Sequence, residues 1–193
     1  MAIRDIPANE LERARTDESH AKHPVTRLSG PYGHPFHPIL VTIPIGAWVA
    51  SLVFDILSRV ADDGAAFARG AYWLIIIGVV GAAAAAVFGL MDLLGIPRDT
   101  PARRVGLTHM VLNVLVLGAF IASFIWRAAR GAELETTAGM YVLSGVALAV
   151  LVVSGWLGGK LAYRFGVRVA DEDAQLEGYL HHTRPRTQRP SMN

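Results

Sequence analysis

The chain contains no cysteine among its 193 residues. That absence excludes disulfides, cysteine-ligated iron–sulfur clusters, covalently attached c-type haem and thiolate zinc sites. A bound metal would have only imidazole, carboxylate, thioether or backbone oxygen to hold it. Charge is also scarce: Asp, Glu, Lys and Arg make up 18% of the residues, and they gather between apolar stretches. The first 37 residues hold no apolar run of the kind a secretory signal needs, so the first run is expected to remain as an anchor. No nucleophile–base pair and no phosphate-cradling glycine loop ahead of a helix is visible, so nothing marks an enzyme acting alone. No repeat of fixed period stands out.

What is present is apolar length. Pro38–Ser58, Ala71–Gly95, Val105–Trp126 and Ala138–Gly159 are runs of 21 to 25 residues. A helix rises about 1.5 Å per residue and needs roughly 20 residues to cross hydrocarbon. Only helices and closed barrels satisfy their backbone groups in lipid, and these runs are far too long for barrel strands. The sequence therefore predicts an all-α, transmembrane four-helix bundle whose first partner is the lipid bilayer. The expected organisation is a polar N-terminal tail over 1–33, a membrane domain over 34–169 and a polar C-terminal tail over 170–193. The first tail is expected to be mobile or ordered by a partner, with a short surface helix at most over Asn9–Lys22. Asp171–His182 is expected on the membrane surface, with His181 and His182 as an incidental surface pair or a weak metal site, and Arg184–Asn193 is expected to be disordered.

The sequence pI of about 9.2 fits basic loops meeting anionic lipid, and nucleic acid is not an expected partner. Fourteen Lys and Arg fall on the side of the two tails and four on the other, which places both termini in the cytoplasm. Tyr72, Trp73, Trp126, Tyr141, Trp156 and Tyr163 mark span ends as an aromatic belt. Pro38 suits a first helical position with His37 as the cap, and Pro44 is expected to kink the first span. Small residues fill the second span (Gly78, Gly81, Ala82–Ala86, Gly89) and recur in the fourth (Gly145, Ser154, Gly155, Gly158, Gly159). They predict close packing at the bundle centre or a homodimer seam. Trp48 is expected in the core, and Asp55 is expected to serve helix packing or to pair with Arg59 one turn on.

Ionisable groups inside a bilayer are costly and mark functional sites. His34, His37, Asp92 and His109 fall near the same ends of their spans, so alternating helix directions bring them to one depth on the side of the tails. Pro35 and Pro38 restrict the histidines that precede them. Asn113 lies one turn beyond His109 on the same helix face. Three uses remain open. Two imidazoles on facing helices could ligate haem b, with Arg103 or Arg104 near the propionates. His34, His37, Asp92 and His109 could instead hold a single Zn, Cu or Fe ion. The groups could also only bond one another, with Asp92 and His109 as a buried neutralised pair or as a proton or quinone contact. One cluster in one leaflet means one site.

The segments His34-Pro35-Phe36-His37-Pro38-Ile39-Leu40-Val41 and Pro44-Ile45-Gly46 resemble the bacterial membrane family catalogued as domain of unknown function 2231. Asp55, Gly89 with Asp92, His109 with Asn113, Gly158-Gly159-Lys160-Leu161-Ala162-Tyr163 and Gly166-Val167-Arg168-Val169 extend the resemblance over about residues 33–169. The resemblance implies a four-helix domain in a bacterial inner membrane. Relatives joined to Rieske-type and sugar-dehydrogenase domains imply a membrane redox complex as partner and electron transfer as the task. One departure stands out: where the family often has His before the Gly of the closing motif, this chain has Phe165. On this reading the chain is a non-catalytic subunit, either an electron carrier using His37 (or His34) with His109, or a structural and assembly subunit of a larger membrane complex.

Overall fold

Local sequence sets the helix boundaries in the computed structural model, which describes residues 6–132 and 136–179. The helices are α1 (Ala8–Lys22), α2 (Phe36–Leu40), α3 (Thr42–Val60), α4 (Gly64–Gly95), α5 (Pro101–Arg130), α6 (Ala138–Tyr163) and α7 (Glu172–Leu176). No strand occurs among the described residues. Four spans result: Phe36–Val60 (α2 with α3), Gly64–Leu94, Pro101–Arg130 and Ala138–Tyr163. The first opens two residues earlier than expected, with Pro35 as cap, so His37 sits inside the first turn. The break falls at Val41, between α2 and α3. Pro44 has no N–H to give Leu40, the residue four before it, and the first segment ends there. Asp63 caps α4 by accepting from Ala66 N–H, and Thr100 caps α5 by accepting from Arg103 N–H, with Pro101 at the first helical position.

Burial is inverted relative to a water-soluble bundle. Ser51, Asp55, Ser123, Arg127, Ser144 and Ser154 are buried, while Val49, Val53, Ile77, Val80, Val114, Val142 and Val152 are exposed. Apolar side chains outside and hydrogen-bonding ones inside are what a lipid solvent selects. Around the bundle α3 packs on α4 and α6, and α5 packs on α4 and α6, so α3 and α5 lie on a diagonal.

Across that diagonal the chain repeats itself. His37, Leu40, Gly46, Ala47, Trp48, Ala50, Ser51 and Asp55 stand 72 residues before His109, Leu112, Gly118, Ala119, Phe120, Ala122, Ser123 and Arg127. Tyr72, Leu74, Ala85 and Gly89 stand 69 residues before Tyr141, Leu143, Ser154 and Gly158. Three pairs of counterparts meet on the axis: His37 with His109, Trp48 stacked on Phe120, and Asp55 bonded to Arg127. A residue meeting its own counterpart is the rule of a twofold interface. The bundle is thus two parallel helical hairpins, α2–α4 and α5–α6, about an approximate twofold axis along the spans. The expectation that no repeat was present is corrected: divergence of most positions hides the period, and the contacts reveal it.

The N-terminal segment, expected to be mobile or ordered by a partner, has its described part (residues 6–33) packed on the end of the bundle. Arg168 is 5% exposed and has a positive φ of 60°. Its N–H donates to Ala21 O at 3.0 Å, and its Nη2 donates to Ser29 O at 3.1 Å and Gly30 O at 3.0 Å. Its Nε lies 2.8 Å from Asp92 Oδ1, an ion pair whose angle falls outside hydrogen-bond geometry. Asp171 N–H donates to Tyr32 Oη at 2.7 Å, and Tyr32 stacks on His23. The Asp171 carboxylate caps α7 through Ala174 N–H, which holds it below the usual carboxylate range. Removing the Arg168 guanidinium (Arg168→Ala) leaves the partly buried Asp92, 11% exposed, without its cation. The expected cost is about 3 kcal/mol, and limited proteolysis should then cut within α1 much faster than in the parent. Residues 180–193, which include His181, His182 and the Arg184–Asn193 segment, lie outside the described residues.

Candidate functional site

The two imidazoles that meet on the axis are held alike. His37 Nδ1 is 2.8 Å from Ala85 O on α4, and His109 Nδ1 is 2.8 Å from Ser154 O on α6. A carbonyl can only accept, so each ring carries its proton on Nδ1 and presents Nε2 as a lone pair. One helical turn beyond each carbonyl is a glycine that leaves room for the ring. A Cβ on Gly89 would lie 2.8 Å from His37, and one on Gly158 would lie 3.1 Å from His109. The ring centroids are 6.3 Å apart and the planes stand at 89°.

The surroundings of the two Nε2 atoms differ. Asn113 Nδ2 reaches His109 Nε2 at 3.1 Å, His109 O at 2.8 Å and Ser154 Oγ at 2.8 Å. Asn113 therefore serves His109 itself, on the face where its spacing put it. Ser154 Oγ also lies 3.0 Å from His109 Nδ1. Among the described residues nothing hydrogen-bonds His37 Nε2.

Other expected members are elsewhere. His34 is exposed in the loop before α2, tied through its N–H to Pro31 O. Asp92 belongs to Arg168, not to His109. The four-ligand set His34, His37, Asp92 and His109 is thus not assembled, and no group of three or more metal-ligating side chains occurs among the described residues. The reason is connectivity: the Gly166–Val169 turn brings a buried guanidinium back under α4, and it takes the carboxylate. Arg103 Nη1 donates to Leu93 O and, at 3.2 Å, to Ile96 O, closing the end of α4, and Arg104 is exposed. Phe165, where the resembled family often has His, packs on the cluster of Ala21, Leu93, Ile96, Leu161 and Val167.

A second polar cluster sits on the axis at the far end. Arg127 Nη1 and Nη2 each lie 2.7 Å from an Asp55 carboxylate oxygen, a two-pronged pair. Thr136 Oγ1 donates to Asp55 Oδ1 at 2.7 Å, Tyr141 Oη donates to Asp55 O at 2.6 Å, and Ser123 Oγ accepts from Arg127 Nε at 3.3 Å. Asp55 is fully buried, and the expected partnership with Arg59 is corrected to Arg127. Sequence reading gave no site role to Arg127 and Thr136, and it named Ser154 only as a small residue and Arg168 only within a resembled motif. The 72-residue spacing of Asp55 and Arg127 could have exposed one of them.

Fold and site together define a polytopic membrane protein with a paired-imidazole core. A family model described as predicted membrane protein (DUF2231) matches residues 33–171, and the chain belongs to that family. No curated protein and no solved structure matches it.

Proposed function

We propose that His37 and His109 would hold one b-type haem, and that the protein carries electrons as a non-catalytic subunit of a redox complex. On this reading it lies in a bacterial inner membrane with both termini in the cytoplasm, as the excess of Lys and Arg on the side of the tails supports. The observation that carries the proposal is the close pair itself, with ring centroids 6.3 Å apart, planes at 89° and both Nδ1 atoms committed to carbonyls. Imidazole is a ligand of haem iron, and these two rings are the pair the bundle brings together on its axis. A carbonyl on the far nitrogen fixes the tautomer and orientation of a ligating imidazole. Asn113 would release Nε2 while keeping the Ser154 hydroxyl and the His109 carbonyl it already reaches. Bound haem supplies the one-electron chemistry, and the chain supplies ligands, burial and orientation.

The detergent-purified protein should show a Soret band, with an α band on reduction, and one iron per chain. His37→Ala and His109→Ala should each remove the band. Absence of both band and iron defeats the proposal. A stoichiometric Zn, Cu or Fe without a Soret band, lost in His109→Ala, would assign a single ion instead. A structural and assembly role is the second reading, favoured by the two Nδ1 bonds, each of which fastens a histidine to the other helix of its own hairpin. It predicts no cofactor and co-purification with a defined membrane partner.

A further inference from the structure

At the end that carries α1, a crevice of about 720 Å³ opens between residues 19–25 and the turn that joins α4 to α5. His20, His23, Arg98 and Arg103 line it, and no carboxylate does. Arg98 and Arg103 also line an adjoining depression of about 590 Å³, which adds Arg104, Asp99 and Leu107. His23 Nδ1 is turned away, bonded to Ser19 O at 2.8 Å, and its ring is braced by stacking on Tyr32. Arg103 is anchored through Nη1 to the end of α4, so its remaining N–H groups are held in place at the crevice wall.

Two features say what such a site takes. Arg103 and Arg104 occupy the first turn of α5, with no acidic residue there to offset them. A helix start already carries partial positive charge, so cations there are locally unfavourable and a bound anion relieves both. Depth supplies the second feature. The crevice lies where the span Gly64–Leu94 ends and the span Pro101–Arg130 begins, which is the level of lipid headgroups. Leu94, Leu107 and Val25 are exposed beside it, an apolar surface against which acyl chains can lie.

We propose that this crevice binds a phosphate-bearing anion, supplied as the headgroup of an anionic glycerophospholipid. The phosphodiester sits among Arg98, Arg103 and His20, with Arg104 adding its charge from the adjoining depression, and its chains run over Leu94 and Leu107. The site is separate from the paired imidazoles and does not depend on a cofactor there.

The test uses the full chain in neutral detergent, titrated with phosphatidylglycerol, phosphatidylcholine or inorganic phosphate. Bound lipid is read by native mass spectrometry and stability by tryptophan fluorescence on heating. Phosphatidylglycerol should bind saturably and raise the melting temperature, and phosphatidylcholine should do neither. Arg98→Ala and Arg104→Ala, both at exposed positions, should each weaken phosphatidylglycerol binding by about fivefold without lowering the melting temperature of the lipid-free protein. Equal retention of the two lipids, or undiminished phosphatidylglycerol binding in the double variant, overturns the proposal. Inorganic phosphate binding as tightly as phosphatidylglycerol, with the same arginine dependence, overturns the lipid source.

Discussion

Asp55→Asn and Arg127→Leu are each expected to destabilise the bundle by about 3–5 kcal/mol, the range for stranding one charge of a buried pair. The geometry places them at the upper end. Asp55 is fully buried and Arg127 is 5% exposed, so neither survivor can turn to water. Arg127 makes two 2.7 Å contacts with the carboxylate, and Thr136 donates to the same group. The decisive comparison is the exchange Asp55→Arg with Arg127→Asp. The two positions are counterparts 72 residues apart, and Ser51 stands to one as Ser123 stands to the other. Exchange should therefore recover most of the loss, short of the share contributed by the Thr136 hydroxyl, which has no counterpart across the axis. Thermal unfolding in detergent of the single and double variants measures this. Additive losses in the exchanged protein would show that the two positions are not equivalent.

The spans were legible because lipid demands long apolar helices. Their ends ran further than hydropathy suggested because polar caps such as Asp63 and Thr100 extend a helix beyond its apolar part. The meeting of His37 with His109 was legible too, since alternating direction fixes depth. Which polar groups pair at a given depth was not. That choice depends on rotation of each helix about its axis, and on segments that return from far along the chain. Arg168, 76 residues beyond Asp92, fills its position only because a left-handed turn folds it back under α4. Asp55 was assigned to Arg59 on helical spacing alone, whereas a residue on the axis faces its counterpart in the other hairpin. The repeat would have resolved this. Apart from His37 with His109, its retained positions are Gly, Ala, Ser, Leu and Tyr, common in any membrane helix, and its other axial pairs, Trp48 with Phe120 and Asp55 with Arg127, are not identical.

That difference between counterparts gives the second large effect. Trp48→Ala should cost about 3–5 kcal/mol, because a large buried ring leaves a cavity its neighbours cannot close. Trp48 is 2% exposed, stacks on Phe120 at 4.2 Å with planes 7° apart, and donates Nε1–H to Ile75 O at 3.4 Å. In lipid the loss is one of packing and a hydrogen bond, since an acyl chain is as apolar as the core. Simple exchange, Trp48→Phe with Phe120→Trp, is not expected to be silent. The indole rests in a notch at Gly78, where a Cβ would overlap the ring. The counterpart of Gly78 is Ala147, buried in the cluster that contains Phe120. An indole at position 120 would press on that methyl, an overpacking that costs about 1–3 kcal/mol. Ala147→Gly added to the exchange should return much of this, while Ala147→Gly alone should weaken the parent by roughly 1 kcal/mol through helix propensity. A rescue confined to the exchanged background would show that the two halves diverged around one ring, with glycine following the larger aromatic from hairpin to hairpin.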